Sequence, residues 1–149
     1  MKVYRISAVT LKVKDMGKSC SLYSKIPGFR LTYGGEPSDR FTTFEIGKES
    51  KAATYLNLEL IEDHEDDYSG SADFNNKSNV GGKTQGSENF GRVIFHTEDV
   101  DKLYSYMKRD GSISKSIVFE NKPTNASWGE RFFHIREPNG YQLSFAQPL

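Results

Sequence analysis

Along residues 6–13 apolar and polar side chains alternate, with Val9, Leu11 and Val13 on one side and Ala8, Thr10 and Lys12 on the other. That is the period of a half-buried strand. Asp15 then stands as an N-cap before Met16, Cys20 and Tyr23, which recur at helical spacing until Pro27-Gly28 ends the segment. Three strand-like runs follow, at 29–33, 40–46 and 54–61, separated by Gly34-Gly35 with Pro37 and by residues 47–50. The first half therefore reads β-α-β-β-β.

The order restarts at Arg92. A strand is expected over 92–97, Asp99 is the next cap, and Val100, Leu103, Tyr104 and Met107 fall at i, i+3, i+4 and i+7 before Gly111, which is expected to stop the helix. Further strands are predicted at 113–119, 131–135 and 142–146, the last after a Pro138-Asn139-Gly140 turn. Sliding one half along the other by 84 residues puts Asp15 on Asp99, Met16 on Val100 and Val9 on Val93. Such an internal repeat carries more weight than any single element. The expected organisation is one domain over 1–149, with module one at 1–61, module two at 91–149 and a connector at 62–90. The connector opens acidic and continues rich in Gly, Ser and Asn, so it offers little to bury and reads as a mobile linker or a flap over a ligand.

Composition narrows the function classes. With 20 basic and 20 acidic residues the formal charge is zero, which provides no field for nucleic acid or an anionic membrane. No run of about 18 apolar residues is present, as a spanning helix would need. The N-terminus lacks a signal-like apolar stretch, and the single cysteine, Cys20, cannot form an internal disulfide, so a reducing cytoplasm is expected. Cys20 shares its helical stripe with Met16 and Tyr23 and is expected to be buried rather than reactive. Phe133, Phe44 and Tyr33 are core residues by default. No phosphate-cradling glycine loop or Ser-His-Asp arrangement is present.

Four segments, VTLKVKDMGKSCSLYSKIPGF, LNLELIE, VIFHTEDVDKLYSYMKRDG and WGERFFHIREPNGYQLSFAQ, resemble the vicinal-oxygen-chelate superfamily of glyoxalases, bleomycin-resistance proteins and extradiol dioxygenases. The resemblance covers nearly the whole chain outside the connector. It implies an α+β fold of two βαβββ modules forming a cup-shaped mixed sheet, with the site on the concave face. Metal-dependent members place ligands on the first and last strand of each module. Carried over, those positions fall at Ala8 and Glu59, and at Arg92 and Ser144. Only Glu59 is an ordinary ligand, whereas a divalent site needs three or four His, Cys, Asp or Glu donors. Arg92 has no lone pair to give and would repel a cation. No metal cofactor is therefore expected, with a divalent metal as the alternative.

In place of a metal, Glu59 and Arg92 are expected to meet, either as a compensated ion pair or as a polar anchor for a ligand. Strand parity adds Asn57 beside Glu59 and Gln142 beside Ser144, hydrogen-bonding residues where a plain core would carry Val or Leu. Trp128 is a candidate for stacking on a ligand ring or for rim packing. His64, His96 and His134 lack the i, i+4 spacing of a helix-borne metal pair. His96 shares the parity of Arg92, and His134 points opposite to Phe133. Three readings of function follow from the resemblance. The first is a metal-free binder of a small organic molecule, anionic or aromatic, acting as a homodimer. The second is a lyase, isomerase or dioxygenase-like enzyme with Glu59 as base and Arg92 stabilising an oxyanion. The third is a structural or regulatory domain with an empty cup.

Overall fold

The computed structural model describes residues 1–2, 5–47, 53–61 and 90–149; His64 and nearly all of the 62–90 connector, including its expected role as a flap, lie outside the described residues. The first sheet contains β1 (Ala8–Val13), β2 (Phe29–Tyr33), β3 (Phe41–Ile46) and β4 (Thr54–Leu60), in the order β1-β4-β3-β2. Only the β1–β4 pair is parallel, as the helical crossover between β1 and β2 allows. Helix α1 (Met16–Tyr23) forms that crossover, and the Asp15 carboxylate accepts from the Lys18 amide at 2.9 Å to start it.

The second sheet repeats the plan. Strand β5 (Arg92–His96) pairs in parallel with β9 (Gln142–Pro148), which pairs antiparallel with β8 (Glu130–Arg136), and β8 with the two short strands β6 (Val118–Phe119) and β7 (Thr124–Asn125). Helix α2 (Val100–Arg109) starts on Asp99 in the same way and buries Val100, Leu103 and Met107 against the sheet. These are two βαβββ modules in an α+β fold.

One expectation fails in the second module. Residues 113–119 are not a strand throughout: helix α3 (Gly111–Ser116) takes the first part, and only Val118–Phe119 is extended. Gly111 does not stop a helix in a left-handed turn. Asp110 ends α2 in an extended conformation, and its carboxylate then accepts from the amides of Ser112 at 2.9 Å and Ile113 at 3.0 Å, starting a new helix. A cap competed successfully with the strand preference of Ile113 and Ile117.

The core lies on one face of each sheet, under the helices. Leu11, Leu56, Leu58 and Phe44 in the first module and Phe133, Ile135, Leu143 and Phe145 in the second are at most 1% exposed. Complete burial of such a side chain contributes about 2–3 kcal/mol. Cys20 is buried here too, with its thiol near Thr42 and held above its ordinary value by burial. Phe44 and Phe133 take the core positions expected of them; Tyr33, on the sheet-edge strand β2, is 65% exposed instead. The two halves share this core through Phe29 against Phe95, ring centroids 5.2 Å apart.

A polar clasp completes the join. In the Glu137-Pro138-Asn139-Gly140 turn, the buried Glu137 carboxylate accepts from the amides of Asn139 and Tyr141 and from the Asn139 side chain. Asn139 reaches into module one: its Oδ1 accepts from the Lys14 amide at 2.9 Å and its Nδ2 donates to Ser19 at 3.2 Å. The Tyr141 hydroxyl accepts from the Lys12 amide at 3.1 Å. Backbone donors along the free edge of β1 are thereby satisfied by side chains of the other module.

Candidate functional site

The face of each sheet turned away from the helices carries the polar residues singled out from the sequence. Cross-strand register sorts them into rows. In the first sheet, Ala8, Tyr55 and Glu45 form one row, Thr10, Asn57 and Thr43 the next, and Lys12, Glu59 and Phe41 the third. In the second, the rows are Arg92, Gln142 and Arg136; Ile94, Ser144 and His134; and His96, Ala146 and Phe132.

This register separates residues that the carry-over had grouped. Glu59 sits two rows from Ala8, and its carboxylate is bound by the Lys12 ammonium at 2.8 Å, with both side chains about half exposed. Arg92 does not pair with Glu59. Its Nη1 lies 3.3 Å from Nε2 of His134. The expected Glu59–Arg92 pair is thus replaced by two local contacts, each made to a neighbouring strand of the same sheet or one strand beyond.

The other candidates are also held by neighbours. The Asn57 side chain accepts from the Thr43 hydroxyl at 3.0 Å and donates to Thr10 at 3.3 Å. Gln142 donates to the Glu120 carboxylate, which also binds Arg136 at 2.6 Å. Burial raises Glu120, but the hydrogen bonds from Gln142 and Arg136 outweigh it and hold the carboxyl below its ordinary value. Ser144, 2% exposed, contacts Nδ1 of His134 at 2.6 Å. Trp128 is 66% exposed, stacks on Phe132 at 5.7 Å and donates its indole N–H to Glu130. Glu130 also meets Nε2 of His96 at 3.3 Å.

In the sequence His134 stands out only as a metal-ligand candidate pointing opposite to Phe133; its place beside Arg92 and Ser144 was not expected. It joins Arg92 to Ser144 and rests on the Phe132 ring, 4.7 Å between centroids. Its signal was present in strand parity, because β8 buries Phe133 and Ile135 and must send Phe132, His134 and Arg136 to the opposite face. Glu120 and Arg136 were missed for another reason. Their meeting depends on β6 pairing with β8, and β6 begins only where α3 has ended.

A cleft of about 490 Å³ opens beside β5, walled by Val9, Leu56, Val93 and Phe95, with Arg92 and His96 among its lining residues. Its volume lies in the range of small-molecule sites, and its mostly apolar wall with a few polar groups suits an organic molecule of modest size. The four positions to which the resemblance carries the metal ligands, Ala8, Glu59, Arg92 and Ser144, do not converge: Glu59 lies two rows from Ala8 and is bound by Lys12, and Arg92 faces His134. Among the described residues there is no group of three His, Cys, Asp or Glu side chains placed to hold a divalent cation.

Two βαβββ modules with polar residues on their outer sheet faces define the class. The family model for the Glyoxalase/Bleomycin resistance protein/Dioxygenase superfamily matches residues 5–145, and the chain belongs to that superfamily. Solved structures similar in fold include a glyoxalase/bleomycin resistance protein/dioxygenase from Nocardioides, 19% identical with a TM-score of 0.61, covering 100% of this chain and 86% of that one. A family enzyme from Burkholderia phytofirmans PsJN is 13% identical, with a TM-score of 0.62 and coverage of 98% and 100%. A superfamily member from Sphaerobacter thermophilus DSM 20745 is 21% identical, with a TM-score of 0.59 and 97% coverage of each chain. At these identities the likeness is one of fold. No curated protein matches the chain. Among the described residues no helix is long and apolar enough to cross a membrane.

Proposed function

We propose that this protein binds a small organic anion with an apolar or aromatic body, without the divalent metal that other members of its superfamily use. The observation that carries this reading is Arg92, a fork of donors set among the apolar walls of the 490 Å³ cleft. His96 lines the same cleft and links through Glu130 to the exposed Trp128, which offers a stacking surface for a ring. Asn57, Gln142 and Ser144 carry their hydrogen-bonding groups on the sheet faces opposite the cleft's Val9, Leu56, Val93 and Phe95 walls, rather than inside the cleft.

The alternative is an enzyme with Glu59 as general base. Glu59 is held by Lys12 and is open to water, without the enclosure that favours proton abstraction. Binding is therefore the better supported reading. The protein is further proposed to act as a homodimer, since Ile94, Val118 and Trp128 are 53%, 64% and 66% exposed in the single chain.

Elemental analysis and thermal-shift titration with Ni, Zn, Mn, Fe and Co, in wild type and Glu59→Ala, test the metal question. Absence of bound metal and of any shift is expected. Near-stoichiometric metal, with a stabilisation lost in Glu59→Ala, would give the enzyme reading precedence. For the ligand, 2-naphthoate titrated by calorimetry is expected to bind wild type and to bind Arg92→Gln at least tenfold more weakly, the loss of a charge-assisted pair. Equal affinity for both would remove Arg92 from the site.

A further inference from the structure

A guanidinium has donors only, so the ring nitrogen facing Arg92 at 3.3 Å, Nε2 of His134, must present its lone pair. In the neutral ring the proton then resides on Nδ1, which donates to the Ser144 hydroxyl at 2.6 Å. An imidazolium in the same place would turn an N–H toward the Arg92 N–H and set two positive charges against each other. The Arg92 contact and a charged His134 exclude one another on geometry.

The surroundings act in the same direction. Arg92 approaches from β5, Arg136 from two residues along β8, and Ser144 from β9. Among the described residues the Glu120 carboxylate, beyond β6, is the one acidic group interacting with the ring, and it is engaged by Arg136 and Gln142. Asn121 binds the backbone amide of His134, and Phe132 packs against the ring. Burial first, and then the Arg92 charge, hold the imidazole below its ordinary 6.5, with Glu120 opposing them.

We propose that His134 is the second donor of the anion site and is recruited by the ligand itself. A carboxylate that takes the Arg92 guanidinium withdraws it from His134 and compensates its charge. Nε2 is released, accepts one proton from solvent, and closes on the carboxylate as a second charged donor. Nδ1–H stays on Ser144, so the ring keeps its orientation throughout. The ligand enters as its carboxylate and a proton enters with it. The chemical class selected is an organic carboxylate that can accept from two cationic donors at once, in preference to the matching amide. This inference rests on the anion-binding reading above.

The test is calorimetry of 2-naphthoate binding in two buffers of different ionisation enthalpy, about one pH unit above the free imidazole value, joined to nitrogen-15 NMR of the histidine rings. The expected apo spectrum shows His134 neutral and protonated on Nδ1. Saturation with 2-naphthoate should convert it to the doubly protonated form, with uptake of about one proton per site. In His134→Gln the proton uptake should vanish while binding persists about tenfold weaker, and 2-naphthamide should bind wild type without proton uptake. Binding of 2-naphthoate with His134 still neutral and heats independent of buffer would overturn the inference and leave the anion site standing. Failure of 2-naphthoate to bind wild type at all would overturn both.

Discussion

Glu137 is a charged group placed where water is scarce. Burial raises its carboxyl above the ordinary value of 4.5, against the hydrogen bonds from Asn139 and Tyr141 that favour the charged form. Because the folded value lies above the unfolded one, the group's contribution to stability is fully present below 4.5 and is lost as pH rises through the folded value. Urea unfolding over a pH series should therefore show this fall in wild type and not in Glu137→Gln, and the difference between the two curves isolates it from the Asp carboxyls whose shifts run the opposite way. A wild-type curve parallel to the variant's would show that Glu137 does not titrate as proposed. Asn139→Ala removes both reaches into module one and should cost about 2–3 kcal/mol by the same measurement, since the Lys14 amide loses its acceptor. These residues were visible in the sequence as a turn. What they bind was not, because Lys14 and Ser19 are more than a hundred positions away.

Helix α3 shows the limit of pattern reading for short segments. Six residues carry too few apolar positions to distinguish a helical period from an alternating one, and the decision fell to a single cap. Asp110→Ala should cost about 1 kcal/mol, read as a lower urea midpoint at unchanged slope, and should loosen α3 in amide exchange while leaving α2 protected. Protection of α3 equal to wild type would deny the cap that role. The turn after β2 is more demanding. Gly34 has φ +67, and a Cβ there would stand 2.5 Å from the Phe41 carbonyl oxygen and 2.8 Å from the Thr42 hydroxyl. Gly34→Ala should therefore destabilise by about 2 kcal/mol or more, combining left-handed strain with a backbone clash. A thermal midpoint within a degree or so of wild type would refute that.

Across the whole molecule, the two modules share one cluster of buried side chains and are stitched by Asn139 and Tyr141. They should therefore unfold together, giving equal calorimetric and van't Hoff enthalpies; two separate transitions would mean that the clasp carries little energy. The proposed dimer would bury exposed apolar side chains such as Val118. Sedimentation is expected to give a dimer, and Val118→Asp, which puts a charge on an exposed apolar position, should shift it toward monomer. A monomer at all concentrations would confine the ligand cleft to one chain.

The amino-acid sequence by itself determined the repeat, the caps at Asp15 and Asp99, the strand faces and the chemical character of each face, because periodicity and capping are local properties of neighbouring residues. It also carried the expectation of a metal-free site, which rests on where the resemblance places the ligand positions and therefore on strand register. Only the tertiary structure decided which polar residues meet. Glu59 belongs to Lys12, and Arg92 to His134, because register between strands sets those pairings and a shift of one residue would have exchanged the faces. The cleft beside β5 is likewise tertiary, formed where strands from both modules approach, and no stretch of sequence contains it.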